Sequence, residues 1–244
     1  MSARQLPRLV ALASAAALAG CGRSPLGLPH AASTQAGHTA GLFRGMVIAA
    51  LVVGGLVWGL IAWSLIRYRS GRFADDIGSQ RSYNIPIEVV YTALPVVIVA
   101  VLFFFSLHTE RQVTKLSAHP DVRVDVIGFQ WQWQFRYPTA DVTVTGASAG
   151  EPPELVLPVG QTTELHLITR DVNHAFWVPR FLSKRDLIPG VRNVIDVTPT
   201  TTGTFAGRCA EFCGLDHWRM NFTVRVVSAA DYRSWLAAQA KGTP

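Results

Sequence analysis

The residues from Gly207 to Met220 read Gly207-Arg208-Cys209-Ala210-Glu211-Phe212-Cys213-Gly214-Leu215-Asp216-His217-Trp218-Arg219-Met220, so two thiols, an imidazole and a thioether crowd one short stretch. Soft sulfur with imidazole suits copper or zinc and not magnesium or calcium. Thioether is a poor zinc ligand, so Met220 tilts the choice towards copper. A mononuclear blue-copper site uses two imidazoles, one thiolate and a weak axial thioether. A second thiolate lets both sulfurs bridge two copper ions, so that one electron is shared and each bond changes little on reduction. Both thiols must lose their protons to bind metal. The stretch supplies too few imidazoles, and Asp171-Val172-Asn173-His174-Ala175-Phe176-Trp177-Val178-Pro179 offers His174. Gly207 and Gly214 are expected to let the backbone turn tightly around the metal. The alternative is a disulfide between Cys209 and Cys213 in an exported protein. The presence of His217, Met220 and His174 weighs against it.

Distant residues can meet in this way if they stand on loops at one end of a β-sandwich. The pattern after residue 120 fits one. Val122, Val124 and Val126 alternate with charged residues, and Phe129, Trp131, Trp133, Phe135 and Tyr137 alternate with Gln130, Gln132, Gln134 and Arg136. Strict alternation predicts half-buried strands. Further short strands are predicted around Glu154–Val159, Thr163–Thr169, Val194–Val197, Thr204–Arg208 and Thr223–Val227, with His174 at the end of a strand. Pro and Gly punctuate them. Ser228 can cap a short C-terminal helix whose apolar side is Tyr232, Trp235 and Leu236. His30, His38, His108, His119 and His166 read as surface, linker or core residues.

The first half is built differently. Hydrophobic residues make up 49% of the 244-residue chain and charged ones only 16%, which indicates membrane spans. Residues 45–67 and 85–107 are each long enough to cross a bilayer, which needs roughly 20 residues. The intervening loop, residues 68–84, is arginine-rich and is expected in the cytoplasm, which leaves residues 108–244 outside. Residues 1–20 have the positive start and short apolar run of a secretory signal. Leu18-Ala19-Gly20-Cys21 resembles the lipobox of bacterial lipoproteins, which implies a lipid on Cys21. Residues 21–44 are expected to form a flexible linker. The net charge of +6 comes from arginines in the first 81 residues, because residues 108–244 hold 14 Lys/Arg against 13 Asp/Glu. No basic stripe lies on the globular part, which excludes a nucleic-acid partner.

The metal stretch, with His174 upstream and two apolar spans before it, resembles cytochrome c oxidase subunit II, whose motif is Cys-x-Glu-x-Cys-x-x-x-His-x-x-Met. The resemblance runs from about residue 45 to 227. It implies an all-β cupredoxin-like domain behind a two-helix transmembrane hairpin, and a dinuclear copper centre (CuA) of two copper ions. Cys209 and Cys213 would bridge them, His174 and His217 would be terminal ligands, Met220 an axial ligand, and Glu211 would give its backbone carbonyl. The Glu211 carboxylate would help hold a Mg²⁺ shared with subunit I. Electrons would enter through Trp131 from a c-type cytochrome and pass to the haem–copper subunit I, which reduces O₂ to water and pumps protons. Glu88, at the start of the second span, resembles the family's glutamate at a proton-channel mouth.

One departure concerns the donor. Arg136 stands where many members carry an acid, and Arg170 precedes Asp171, so a lysine-rich soluble cytochrome would be steered weakly. The chain looks more like the lipoprotein branch fed by a membrane-held haem c domain of a bc complex in a supercomplex. Three rivals are a quinol-oxidase subunit, which lacks the copper ligands, a nitrous- or nitric-oxide reductase, and a membrane-tethered copper carrier.

Overall fold

The computed structural model describes residues 27–69, 82–146 and 152–242. The expected signal, Cys21, and Arg72 and Arg81 of the loop lie outside the described residues. The chain forms two units, a helical hairpin over residues 38–114 and a β unit that joins residues 115–244 to the segment ending at Gly37.

The hairpin consists of α1 (Thr34–Arg67) and α2 (Ile85–Thr114). Mean hydropathy over their most apolar windows reaches 2.3 and 2.5, and none of either window is buried within the chain. Helices apolar on every side, with Ile48, Trp58 and Val96 exposed, are suited to lipid and not to water. Asn84 caps α2: the Ile87 N–H donates to its Oδ1 at 3.4 Å, while the Asn84 N–H donates to the Glu88 carboxylate at 2.9 Å. This reciprocal arrangement satisfies donors at the helix start. Pro95 sits inside α2.

The N-terminal side of α1 departs from the expected loose linker. Ser33 accepts from the Ala36 N–H at 3.1 Å and starts the helix at Thr34, so residues 34–44 are helical. Before it, Ala32 donates to the Arg180 carbonyl and accepts from the Thr200 N–H, each at 2.9 Å. Arg180 Nε donates to the His30 carbonyl at 2.5 Å. The small side chains that make the segment look unstructured let Ala32 and Ala36 bury completely.

Among the described residues the β unit has ten strands: β1 (Val122–Phe129), β2 (Gln132–Tyr137), β3 (Val142–Thr145), β4 (Glu154–Pro158), β5 (Thr163–Thr169), β6 (His174–Val178), β7 (Ser183–Leu187), β8 (Asn193–Val197), β9 (Gly203–Cys209) and β10 (Asn221–Val227). They form two five-stranded sheets, ordered β3-β2-β1-β5-β8 and β4-β10-β9-β6-β7. β1 runs parallel to β5 and β4 parallel to β10; the other pairs are antiparallel. The sandwich expected from the alternation is present.

Two local expectations change. The aromatic run from Phe129 to Tyr137 is a hairpin and not one strand, with Phe129 paired to Gln132 and the peptide between Gln130 and Trp131 cis. The turn moves the inward positions from even numbers (Val124, Val126) to odd ones (Trp133, Phe135, Tyr137), and it stays hidden because Phe129, on the outer face of β1, continues the odd-numbered aromatic series. Trp133, Phe135 and Tyr137 point inward, while Trp131 is carried to the tip. His174 begins β6 instead of ending a strand; the preceding strand stops at Thr169.

The core is aromatic. Phe176 stacks on Phe222 with centroids 4.9 Å apart, and Trp133 meets Phe222 edge-on at 5.2 Å. Gly207 lies opposite Phe222 in the β9–β10 register, and a Cβ there would fall 2.1 Å from the ring. Its role is close packing within a strand, not the turn expected of it; its φ is not positive, whereas that of Gly214 is +114°. α3 (Ala229–Gly242) closes the unit. The Asp231 N–H donates to Ser228 Oγ at 3.1 Å, and Trp235 packs on Tyr137 at 5.1 Å.

Candidate metal centre

Pairing brings the sulfur-bearing strand beside the histidine strand. Phe176 of β6 lies opposite Cys209 of β9, which places the start of β6 next to the end of β9. His174, Cys209 and Cys213, all buried, have ligand atoms within 4.8 Å of one another. Nδ1 of His174 is 3.8 Å from the Cys209 sulfur, which is 3.9 Å from the Cys213 sulfur. The Cys213 sulfur is in turn 3.5 Å from His217 Nδ1 and 3.8 Å from the Met220 sulfur. The Glu211 carbonyl accepts from the Cys209 thiol at 3.2 Å, while the Glu211 side chain is exposed. All six expected ligand groups therefore converge.

The thiols are free. Their separation of 3.9 Å exceeds a disulfide. It is also less than twice a metal–thiolate bond of about 2.3 Å, so one ion can touch both sulfurs. The set is soft, buried and satisfied on its outer side, which fits a copper-type metal.

Outer partners fix the geometry. Asp171 Oδ1 accepts from His174 Nε2 at 2.9 Å, which leaves Nδ1 facing the sulfurs. The backbone N–H groups of Gln130 and Val172 each donate to Asp171 at 2.7 Å. Burial works to raise the Asp171 carboxyl, but these bonds and His174 hold it below its usual range. Trp133 Nε1 donates to the Met220 carbonyl at 3.2 Å and anchors the far end of the loop. Trp131 Nε1 and Gln130 Nε2 both donate to the Cys213 carbonyl, at 3.0 and 2.9 Å. A Cβ on Gly214 would meet the Trp131 ring at 3.2 Å, so glycine lets the indole lie on the metal loop.

Protonation is set by the same contacts. Burial opposes ionisation of Cys209, yet His174 and the backbones of Ala175 and Glu211 bring it down to about 7. Burial, and then the Cys209 charge, push Cys213 up to about 12. The metal-free pair therefore keeps at least one proton at neutral pH, on Cys213. Since metal needs both thiolates, loading releases protons and favours the ionised Cys209, which is present above about pH 7. Copper uptake should accelerate as pH rises from 6 to 8. Stopped-flow absorbance of metal-free chain mixed with copper checks this, and a pH-independent rate would contradict it.

His166, on β5, bonds Glu164 at 2.6 Å and is not among the converging ligands. Sequence reasoning gave no role to Gln130, and treated Asp171 only as context. The Asp-x-x-His spacing was the available signal for Asp171; nothing in the sequence singled out Gln130 before the hairpin was known.

Comparison with known proteins matches the same two halves. Residues 22–109 match the family model for the transmembrane domain of cytochrome c oxidase subunit II, and residues 150–227 that for its periplasmic domain. A Streptomyces coelicolor protein described as "Probable cytochrome c oxidase subunit 2" is 38% identical, over 88% of this chain and 79% of that protein. The chain belongs to the cytochrome c oxidase subunit II family. Cytochrome c oxidase subunit 2 of Mycobacterium tuberculosis is 33% identical, over 98% of this chain and 84% of the relative. The solved periplasmic domain of subunit II (CoxB) of Bradyrhizobium japonicum is 30% identical, with a TM-score of 0.47 over 52% of this chain and 98% of that one. As a subunit II, the chain is a membrane protein with an extracytoplasmic C-terminal domain of CuA type. It is a component of the terminal oxidase complex, which sets aside the quinol-oxidase, reductase and carrier readings.

Proposed function

We propose that Cys209 and Cys213 bridge two copper ions, with His174 and His217 as terminal ligands and Met220 and the Glu211 carbonyl completing the set. The observation that carries this is the chain of contacts from His174 through both sulfurs to His217 and Met220, none longer than 3.9 Å. A copper pair held by these residues would supply one-electron transfer with little reorganisation. Asp171 orients His174, Trp133 anchors Met220, and the aromatic core keeps water from the sulfurs. Metal analysis of the full chain after copper loading should give two copper ions per chain. One copper, or none with the sulfurs oxidised to a disulfide, overturns the assignment.

Electrons are taken in at Trp131, whose indole N–H bonds the Cys213 carbonyl, and pass to subunit I, where oxygen is reduced and protons are pumped. The donor is a membrane-held haem c domain of a bc complex. An oxidase that purifies free of c-type haem, yet turns over fast with a lysine-rich soluble cytochrome c, would contradict this. The exposed Glu211 carboxylate helps hold a Mg²⁺ shared with subunit I; a Mn²⁺ spin probe replacing it should lose its signal in Glu211→Ala. Cys21 carries a lipid, so the mature chain should begin with an acylated cysteine by mass spectrometry; an unmodified N-terminus elsewhere refutes it.

Glu88 serves at the mouth of the proton channel. A second reading is purely local, because its carboxylate accepts from the Asn84 N–H. Glu88→Gln separates the two, since an amide oxygen still accepts that bond but carries no proton. Oxygen consumption by the oxidase should fall several-fold in Glu88→Gln. Unchanged turnover assigns Glu88 to capping alone.

A further inference from the structure

The sheet that contains β1, β5 and β8 turns Val124, Val126, Leu165 and Val197 into the core and carries charge on its other face. Strand pairing sets that charge in two rows. Arg123 of β1 lies opposite Glu164 of β5, which lies opposite Asp196 of β8. Arg136 of β2 lies opposite Asp125 of β1, which lies opposite His166 of β5. Arg123 Nε donates to Glu164 Oε1 at 2.9 Å, His166 Nε2 bonds the same oxygen at 2.6 Å, and Arg136 holds Asp125. Two guanidinium groups thus stand among three carboxylates, and the arginines are spent on Glu164 and Asp125. Carboxylates directly opposite each other on neighbouring strands, as Glu164 and Asp196 are, repel.

Asp196 is buried. Its Oδ2 accepts from the Ser117 N–H at 2.5 Å, while its buried Oδ1 has no partner among the described residues. Ser117 belongs to residues 115–121, the link from α2 to β1. The segment that enters α1 is fastened just beyond Asp196: the Thr34 N–H donates to the Thr198 carbonyl at 3.0 Å, and the Thr198 N–H donates to Gln35 Oε1 at 3.1 Å. Residues 196–200 therefore tie down both connections to the helical hairpin, and Asp196 is the one titratable group among them. Burial drives the Asp196 carboxyl above its usual range; the Ser117 bond works against this, and the Glu164 charge adds to it. Glu164 itself is held below its usual range, first by His166 and then, against burial, by Arg123, so it stays an acceptor. The other charged groups nearby are Lys115, His119 and Asp121 of the link, all exposed, and Lys184, Arg185 and Asp186 of β7, which meets β8 where Asn193 Nδ2 donates to the Asp186 carbonyl.

We propose that Asp196 and Glu164 form a proton-binding pair on the extracytoplasmic domain, in which one proton, held on Asp196 and directed at Glu164, fastens the link between α2 and β1 onto β8. The proton comes from bulk water and returns to it. A carboxyl that holds its proton more tightly when docked than when solvated makes protons favour docking. The added stability is complete below the ordinary aspartate value and is lost as pH rises through the raised one.

Hydrogen exchange of the full chain in detergent, read by mass spectrometry over residues 115–121 and corrected for the intrinsic effect of pH, tests this. Protection of the link should fall by on the order of tenfold per pH unit above the ordinary aspartate value of about 3.9 and level off past the raised one. Asp196→Asn should hold the low-pH protection at every pH, because an amide accepts from Ser117, donates towards Glu164 and does not titrate. Asp196→Ala should remove the protection throughout. His166→Gln should leave the pH dependence in place. Native protection that is flat or rises with pH overturns the proposal, as does a pH dependence that survives in Asp196→Asn. Loss of the dependence in His166→Gln places the proton on the imidazole and overturns it equally.

Discussion

Cys213→Ser should leave a chain that binds at most one copper ion and passes almost no electrons to subunit I. The Cys213 sulfur is the hub of the site, within 3.9 Å of the Cys209 sulfur, 3.5 Å of His217 and 3.8 Å of the Met220 sulfur. Its loss separates His174 and Cys209 from His217 and Met220. A serine hydroxyl is a hard oxygen ligand and does not bridge soft copper ions. Losing an outer partner of a metal site costs roughly 10–100-fold, so losing the shared sulfur should exceed that in the rate of copper reduction. The fold should persist, because the substitution is nearly isosteric and the packing of Trp133, Phe176 and Phe222 does not involve it. Copper analysis and stopped-flow reduction check the expectation. A variant that keeps two coppers and the native rate would show that Cys213 does not bridge.

Trp131→Ala should slow electron intake while leaving copper in place. The indole is not a ligand; it contacts the site through one hydrogen bond of 3.0 Å to the Cys213 carbonyl and through its rest on Gly214. Removing it takes away both the through-bond connection and the apolar contact for the donor. A loss of roughly 100-fold, equivalent to about 2.7 kcal/mol of barrier, is expected. Trp131→Phe keeps a ring but loses the N–H and should fall between. The copper count should stay at the native value in both, which separates a path residue from a ligand. Native rates in Trp131→Ala would move the intake site elsewhere, and copper loss would make Trp131 structural.

The metal set was legible because its chemistry is compressed: Cys209, Cys213, His217 and Met220 fall within twelve residues, and few other uses suit that mixture. His174 was legible as an imidazole the loop could not supply. The two spans were legible from hydropathy, which records a solvent and not a partner. What escaped depends on contacts across the fold. The hairpin at Gln130 and Trp131 hides inside the aromatic alternation, because Phe129 on the outer face of β1 continues by number the inward series Trp133, Phe135 and Tyr137 of β2. Gly207 reads as a turn residue in a list of glycines, and only the β9–β10 register sets it under Phe222. The docked segment before α1 is written in small residues whose burial is decided by backbone hydrogen bonds to Arg180 and Thr200, and composition carries no trace of those.

The central claim is that two coppers share one electron across Cys209 and Cys213. Electron paramagnetic resonance on the copper-loaded full chain, in its oxidised form, reads that sharing directly. The account predicts hyperfine splitting from one unpaired spin distributed equally over two copper nuclei. A four-line pattern from a single copper nucleus would contradict it.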